Sequence, residues 1–183
     1  KYDDLFTDDF LLPTGNLRES RVGAKRADII VVTKCPFNLN KEEKERIEKK
    51  LQKFNKQVFF TMISYADKIS GSQEISLIEL KKFEVLLITG IANPSPLLEF
   101  LSKKDIKFIH LKYVDHHHFS SKEIEVIKER FKSINSDKKL ILTTEKDYTR
   151  LNSKLIELSF LEIETNFIEN QHKFDAIIKG HMQ

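Results

Sequence analysis

The segment "YVDHHHFSS" sets Asp115 beside His116, His117 and His118. Three readings suit such a run. A metal ion needs several ligands that converge, yet consecutive residues point in different directions, and no HExxH-type helical pair is present. An aspartate–histidine pair can orient a base or help move a proton. A polar loop at a strand end requires no chemistry at all. Two further stretches hold suitable groups. "TTEKD", residues 143–147, offers backbone amides and Lys146 to a phosphate, and equally reads as a helix start capped by Thr144 with acidic residues placed for the dipole. "GIANPSP", residues 90–96, is a polar loop containing Asn93. Upstream, "PTGNLRES" carries Arg18, Glu19 and Arg21; a guanidinium fork there can hold phosphate oxygens or form an ordinary surface ion pair.

These loops need strands to carry them. The apolar runs at 85–88, 106–111 and "KLILTT" each precede one of the three downstream loops, and each is followed by a helical pattern. Ser95 reads as an N-cap with Pro96 at the first helical position, and Ser120 with Glu123 has capping-box spacing. In open parallel sheets ligands bind beyond the C-terminal ends of the strands, so the three loops are expected to share one rim. Upstream, residues 29–32 read as a buried parallel strand. Asn40 is placed to cap a helix whose Ile47, Leu51 and Phe54 share a face. The stretch "VFFTMISYADKISGSQEISLIEL" carries two β-prone runs and predicts a hairpin or an extended ribbon. The tail predicts an alternating strand, "ELSFLEIE", and an amphipathic finish around Phe174, Ile177 and Ile178. The class is α/β.

At 183 residues the chain can hold one domain or parts of two, and its 32% charged residues suit a globular protein. A net charge of +3 gives no global basic field, and no aromatic–basic platform is evident, which argues against a nucleic-acid partner. Cys35 stands alone, so no intrachain disulfide can form; it reads as a small buried hydrophobe at a strand end. No apolar run approaches the length of a membrane span. The lysines of residues 41–56 suit a solvated helix face, or attraction to anionic lipid.

Taken in order, "LLPTGNLRES", "ADIIVVTK" ending in "CP", "GIANPSPLLEFL", "DHHHF" and "LTTEKD" resemble the tetraacyldisaccharide 4'-kinases of lipid A biosynthesis, particularly those of Bacteroidetes-type bacteria. The match runs from Asp8 to about Leu151. The resemblance implies a P-loop lobe and a Rossmann-like C-terminal α/β lobe with a parallel sheet, joined by an extended β hinge. It implies ATP, with Mg2+ bound mainly by the N-terminal lobe, and a peripheral place on the cytoplasmic face of the bacterial inner membrane. The implied reaction moves the ATP γ-phosphate to the 4'-hydroxyl of an acylated glucosamine disaccharide 1-phosphate, giving lipid IVA.

Carried onto this sequence, the family's "DH" motif falls on Asp115 and His116 as the catalytic pair, the histidine partnering an aspartate outside the chain. Asn16, Arg18 and Glu19 are implied at the substrate or phosphates. Asn93, Thr144, Glu145, Lys146 and Asp147 are implied on the cleft rim, Thr144 and Asp147 also reading as helix caps. No metal ligand is expected within this chain. Residues 1–57 are expected to be the end of the P-loop lobe and 58–82 the hinge. Residues 83–152 are expected to form the C-terminal lobe, and 153–183 a returning strand and terminal helix. The sequence has five glycines, none followed by lysine, so it holds no Walker A run. It opens on Lys1 rather than methionine and is expected to be the C-terminal part of a longer kinase, inactive alone. The competing reading is a self-standing α/β module that binds a phosphorylated ligand or a protein.

Overall fold

The computed structural model describes residues 1–54 and 57–182. Its elements are β1 (Ile29–Val32), α1 (Lys41–Gln52), β2 (Gln57–Gly71), β3 (Ile75–Ser76), α2 (Leu77–Leu80), β4 (Glu84–Thr89) and α3 (Ser95–Lys103). There follow β5 (Lys107–Lys112), α4 (Ser121–Lys132), β6 (Lys139–Thr144), α5 (Glu145–Leu151), β7 (Leu158–Phe167) and α6 (Gln171–His181). The class is mixed α/β with a mostly parallel sheet. Two units are distinct, residues 1–64 with 164–183 and residues 65–163, and the long strands β2 and β7 each pass from one to the other.

In the first unit β1 pairs in parallel with the start of β2, Ile29 opposite Gln57 and Val32 opposite Phe60. α1 begins where the Asn40 side chain accepts the Glu43 N–H at 2.8 Å, satisfying one of the amides that a helix start leaves open. Its Ile47 and Leu51 are buried with Val32, Cys35 and Phe60. Burial pushes the Cys35 thiol up, as expected for a packing residue and not for a nucleophile. The amphipathic end of the chain supplies α6, whose Phe174 meets Phe59 edge-on with ring centroids 5.4 Å apart. Lys56, the last of the 41–56 lysines, lies outside the described residues.

The second unit explains why its strands are apolar without alternation. β4 lies between β5 and β6, all parallel, and β6 continues in parallel to β7. Successive side chains of β4 face opposite sides, and both sides are covered. Val85 and Leu87 pack with Leu140, Leu142, Leu97 of α3 and Leu101. Leu86 and Ile88 pack with Ile141, Leu158, and Ile124, Ile127 and Phe131 of α4. A polar residue at 85–88 would meet a buried face whichever way it pointed.

Two local expectations change. Ser95 is the first residue of α3 and not its cap; Pro94 takes the cap position, and the Asn93 side chain accepts the Ser95 N–H at 3.1 Å. The expected ribbon is one long strand with a two-residue return, Lys68 opposite Ser76 and Ile69 opposite Ile75. The second β-prone run leaves the sheet at once, because Ser76 caps α2 by accepting the Glu79 N–H. "SLIE" is a Ser-x-x-Glu helix start that outweighs its β-branched neighbours.

Candidate functional site

Parallel pairing of β5, β4 and β6 brings three strand ends to one edge of the second unit. The loops that follow them are tied together. The His116 N–H donates to the Gly90 carbonyl at 3.2 Å, and the Gly90 N–H donates to Asp147 Oδ2 at 2.7 Å. Lys146 Nζ reaches Asp115 Oδ1 at 2.8 Å. Thus Gly90, Asp115, His116, Lys146 and Asp147, far apart in sequence, meet at one rim.

Each histidine of the run has a different environment. His116 takes a left-handed backbone, φ 58°, uncommon outside glycine. Its N–H is pinned both by Gly90 and by Asp115 Oδ1 at 2.9 Å, which offsets that strain. The ring is exposed, with Arg150 Nη2 3.2 Å from Nδ1 and Lys146 Nζ 3.4 Å from Nε2. His117 is structural. Its ring lies 4.8 Å from Tyr113 and 5.0 Å from Phe119, and Nε2 is 2.8 Å from Glu123 Oε1. His118 is exposed. Consecutive imidazoles therefore meet different partners. Among the described residues no group of three or more His, Cys, Asp or Glu side chains is gathered as around a metal ion.

The charges reinforce this order. The Lys146 ammonium, with His116 beside it, holds the Asp115 carboxyl below the usual range. Asp147 is fully buried, its Oδ2 also accepting from the Thr144 hydroxyl at 2.9 Å. It is more than a helix cap: besides closing the start of α5, it binds the backbone of a different loop. A Cβ on residue 90 would stand 3.1 Å from Asp147 Oδ1, so glycine lets the carboxylate approach this closely. Glu145 and Asn93 are exposed. Arg150 is the group the sequence reading missed. Its spacing of three residues from Asp147 on a helix puts both on one side, which was the available signal.

The upstream candidates belong to the first unit. Arg18 is exposed, and Glu19 is engaged by Arg26 at 2.8 Å. The Asn16 N–H donates to the Asp9 carboxylate at 3.1 Å. Gly15 makes this turn possible, because a Cβ there would lie 2.3 Å from the Phe10 carbonyl oxygen.

One consequence for pH lies in α4. Ser120 and Glu123 form the capping box, with hydrogen bonds from the Ser120 hydroxyl and N–H and from His117. These bonds hold the Glu123 carboxyl down at about 2, against 4.5 for a free glutamate. The folded value is the lower one, so the stabilisation is complete above 4.5 and is lost as pH falls towards about 2. Thermal melts of wild type and Glu123→Gln are expected to differ at neutral pH and to converge across that window. A difference that stays constant with pH would refute the assignment.

Comparison with known proteins agrees with the family resemblance. The model of the tetraacyldisaccharide-1-P 4'-kinase family matches residues 2–183. A tetraacyldisaccharide 4'-kinase of Flavobacterium johnsoniae is 48% identical over 186 residues, covering 100% of this chain and 53% of the relative. That of Flavobacterium psychrophilum is 44% identical with the same coverage, and that of Bacteroides thetaiotaomicron 38%. The chain spans about half the length of these curated relatives. No solved structure matches it significantly. With nearly every residue inside the family model and the Asp115–His116, Gly90 and Thr144–Asp147 segments joined at one rim, the chain belongs to the tetraacyldisaccharide-1-P 4'-kinase family.

Proposed function

We propose that the full-length protein is an ATP-dependent kinase that phosphorylates the 4'-hydroxyl of a tetraacylated glucosamine disaccharide 1-phosphate, forming lipid IVA, and that this chain is its C-terminal part. The observation that carries the reading is the rim itself, an exposed His116 held rigidly by two other loops, in a chain whose relatives are named for this activity. In this reading residues 65–163 are the Rossmann-like C-terminal lobe and the first unit completes a P-loop-type lobe. β2 and β7 serve as the extended hinge.

His116 has the role of hydrogen-bonding the aspartate that takes the hydroxyl proton, an aspartate supplied outside this chain. Orienting a base and helping it dispose of a proton is within an imidazole's reach. Asp115, held ionised by Lys146, fixes the loop and the local charge. Asn16, Arg18 and Glu19 meet phosphate or substrate, with Arg18 offsetting charge on phosphoryl oxygens. Asn93, Glu145 and Lys146 line the cleft rim, and Thr144 with the buried Asp147 holds that rim together.

ATP and Mg2+ do not fit the described residues as a cradle. No glycine precedes a lysine in the sequence, the Asp115 carboxylate is taken by Lys146, and that of Asp147 is buried. Nucleotide and metal therefore belong with the remainder of the kinase. No helix among the described residues is long and apolar enough to cross a membrane. The reading places the full-length enzyme peripherally on the cytoplasmic face of the inner membrane, where its lipid substrate is presented.

The test is transfer of labelled γ-phosphate from ATP to a tetraacyldisaccharide 1-phosphate. The full-length protein is expected to turn over and the 183-residue chain to give none. Turnover by this chain alone, or none by the full-length protein, would sink the assignment. Tight binding of a phosphorylated ligand without transfer would favour a binding module.

A further inference from the structure

We infer that Arg150, anchored by the buried Asp147, is a positioning residue that selects the tautomer of His116. The inference rests on the role proposed for His116. A guanidinium can only donate, so with Arg150 Nη2 3.2 Å from Nδ1, that nitrogen accepts and the ring hydrogen lies on Nε2. The opposite side of the ring also faces a donor, but at a longer distance and with that donor's short bond spent elsewhere, so the Arg150 contact decides. Lys146 Nζ, 3.4 Å from Nε2, also only donates, and its short bond goes to Asp115 Oδ1 at 2.8 Å. Asp115 Oδ2, the acceptor on that side, stands 3.7 Å from Nε2.

The placement of Arg150 is built into the core. Arg150 Nη1 faces Asp147 Oδ1 at 3.6 Å, and both atoms are buried without a closer polar partner among the described residues. Asp147 is in turn fixed by the Gly90 N–H and the Thr144 hydroxyl. A line of contacts thus runs from the ends of β4 and β6 through Asp147 and Arg150 to the imidazole. The outcome has chemical value. An imidazole bearing hydrogen on Nε2 presents a donor, which an incoming carboxylate requires; the other tautomer would present a lone pair and repel it. Where a histidine binds a metal, the group that fixes its far nitrogen is typically worth about 10- to 100-fold, and the lower end of that range is expected for this metal-free imidazole.

The experiment reads the tautomer directly. Nitrogen-15 NMR of the histidine-labelled full-length protein, with the His116 signals identified through His116→Gln, is expected to show a bare Nδ1 and a protonated Nε2. Arg150→Met is expected to move His116 towards the other tautomer, and Arg150→Lys to keep part of the original population. In the kinase assay Arg150→Met should lower kcat by about 10-fold at unchanged KM for ATP, with partial rescue by Arg150→Lys. A protonated Nδ1 in wild type, or an Arg150→Met spectrum unchanged at His116, would overturn the inference. A tautomer shift accompanied by normal turnover in His116→Ala would support the Arg150 assignment and sink the catalytic role of His116, so the two failures are separable.

Discussion

In the full-length protein, with the kinase activity proposed for it, His116→Ala is expected to lower kcat by about 100-fold while the apparent KM for ATP barely moves. The magnitude is set at the low end of general acid–base effects because the proton acceptor proposed here is an aspartate, with His116 only orienting it and stabilising the proton as it arrives. The effect belongs in kcat because that help is needed as the proton leaves the hydroxyl, not while ATP binds. The structure also changes what the neighbouring substitutions mean. His117→Ala removes a ring packed between Tyr113 and Phe119 and a partner of Glu123, so its expected cost is in stability. His118 is exposed, and His118→Ala is the control expected to behave as wild type. Steady-state kinetics on the three variants, with circular dichroism to check folding, decides the matter. Mild and equal losses across the series would reduce the run to a polar loop.

The part of this arrangement that could be read from the residues is the part encoded locally. Runs such as "VLLI" must be covered on both faces, and helices on either side of β4 do that. Strand–loop–helix repetition then puts the loops at 90, 115 and 144 beyond the same strand ends, since parallel strands share an orientation. Local competition produced the two departures. Asn93 made the turn before α3 and displaced Ser95 from the cap, while the Ser76–Glu79 pair started a helix within a run of β-formers. The contact of Arg150 with His116, unlike its pairing with Asp147, was out of reach for a different reason. The two residues are 34 positions apart, and nothing in "EKDYTRL" reveals that the end of α5 faces the loop holding His116.

Asp147 is the residue on which that rim depends most, and Asp147→Ala is expected to cost roughly 3 kcal/mol. Its carboxylate is fully buried and satisfies the Gly90 N–H, 2.7 Å away, and the Thr144 hydroxyl, 2.9 Å away. Removing it strands a buried backbone donor, which alone costs about 1–3 kcal/mol, and leaves the half-buried Arg150 guanidinium without its anion. Partial exposure lets water relieve Arg150, which is why the figure stays at the bottom of the range for breaking a buried pair. At about 2–4 °C per kcal/mol for a chain of this size, the thermal midpoint should drop by about 6–12 °C. Asp147→Asn separates the two contributions. An amide oxygen can still accept from Gly90 and Thr144, while its NH2 faces Arg150 as a second donor, so the loops should hold and the guanidinium should be displaced. The expected loss is about 1 kcal/mol, with the kcat defect of the Arg150→Met enzyme and little of the instability of Asp147→Ala. If Asp147→Ala melts within about 0.5 kcal/mol of wild type, the carboxylate is a helix cap and the three loops are held by something else.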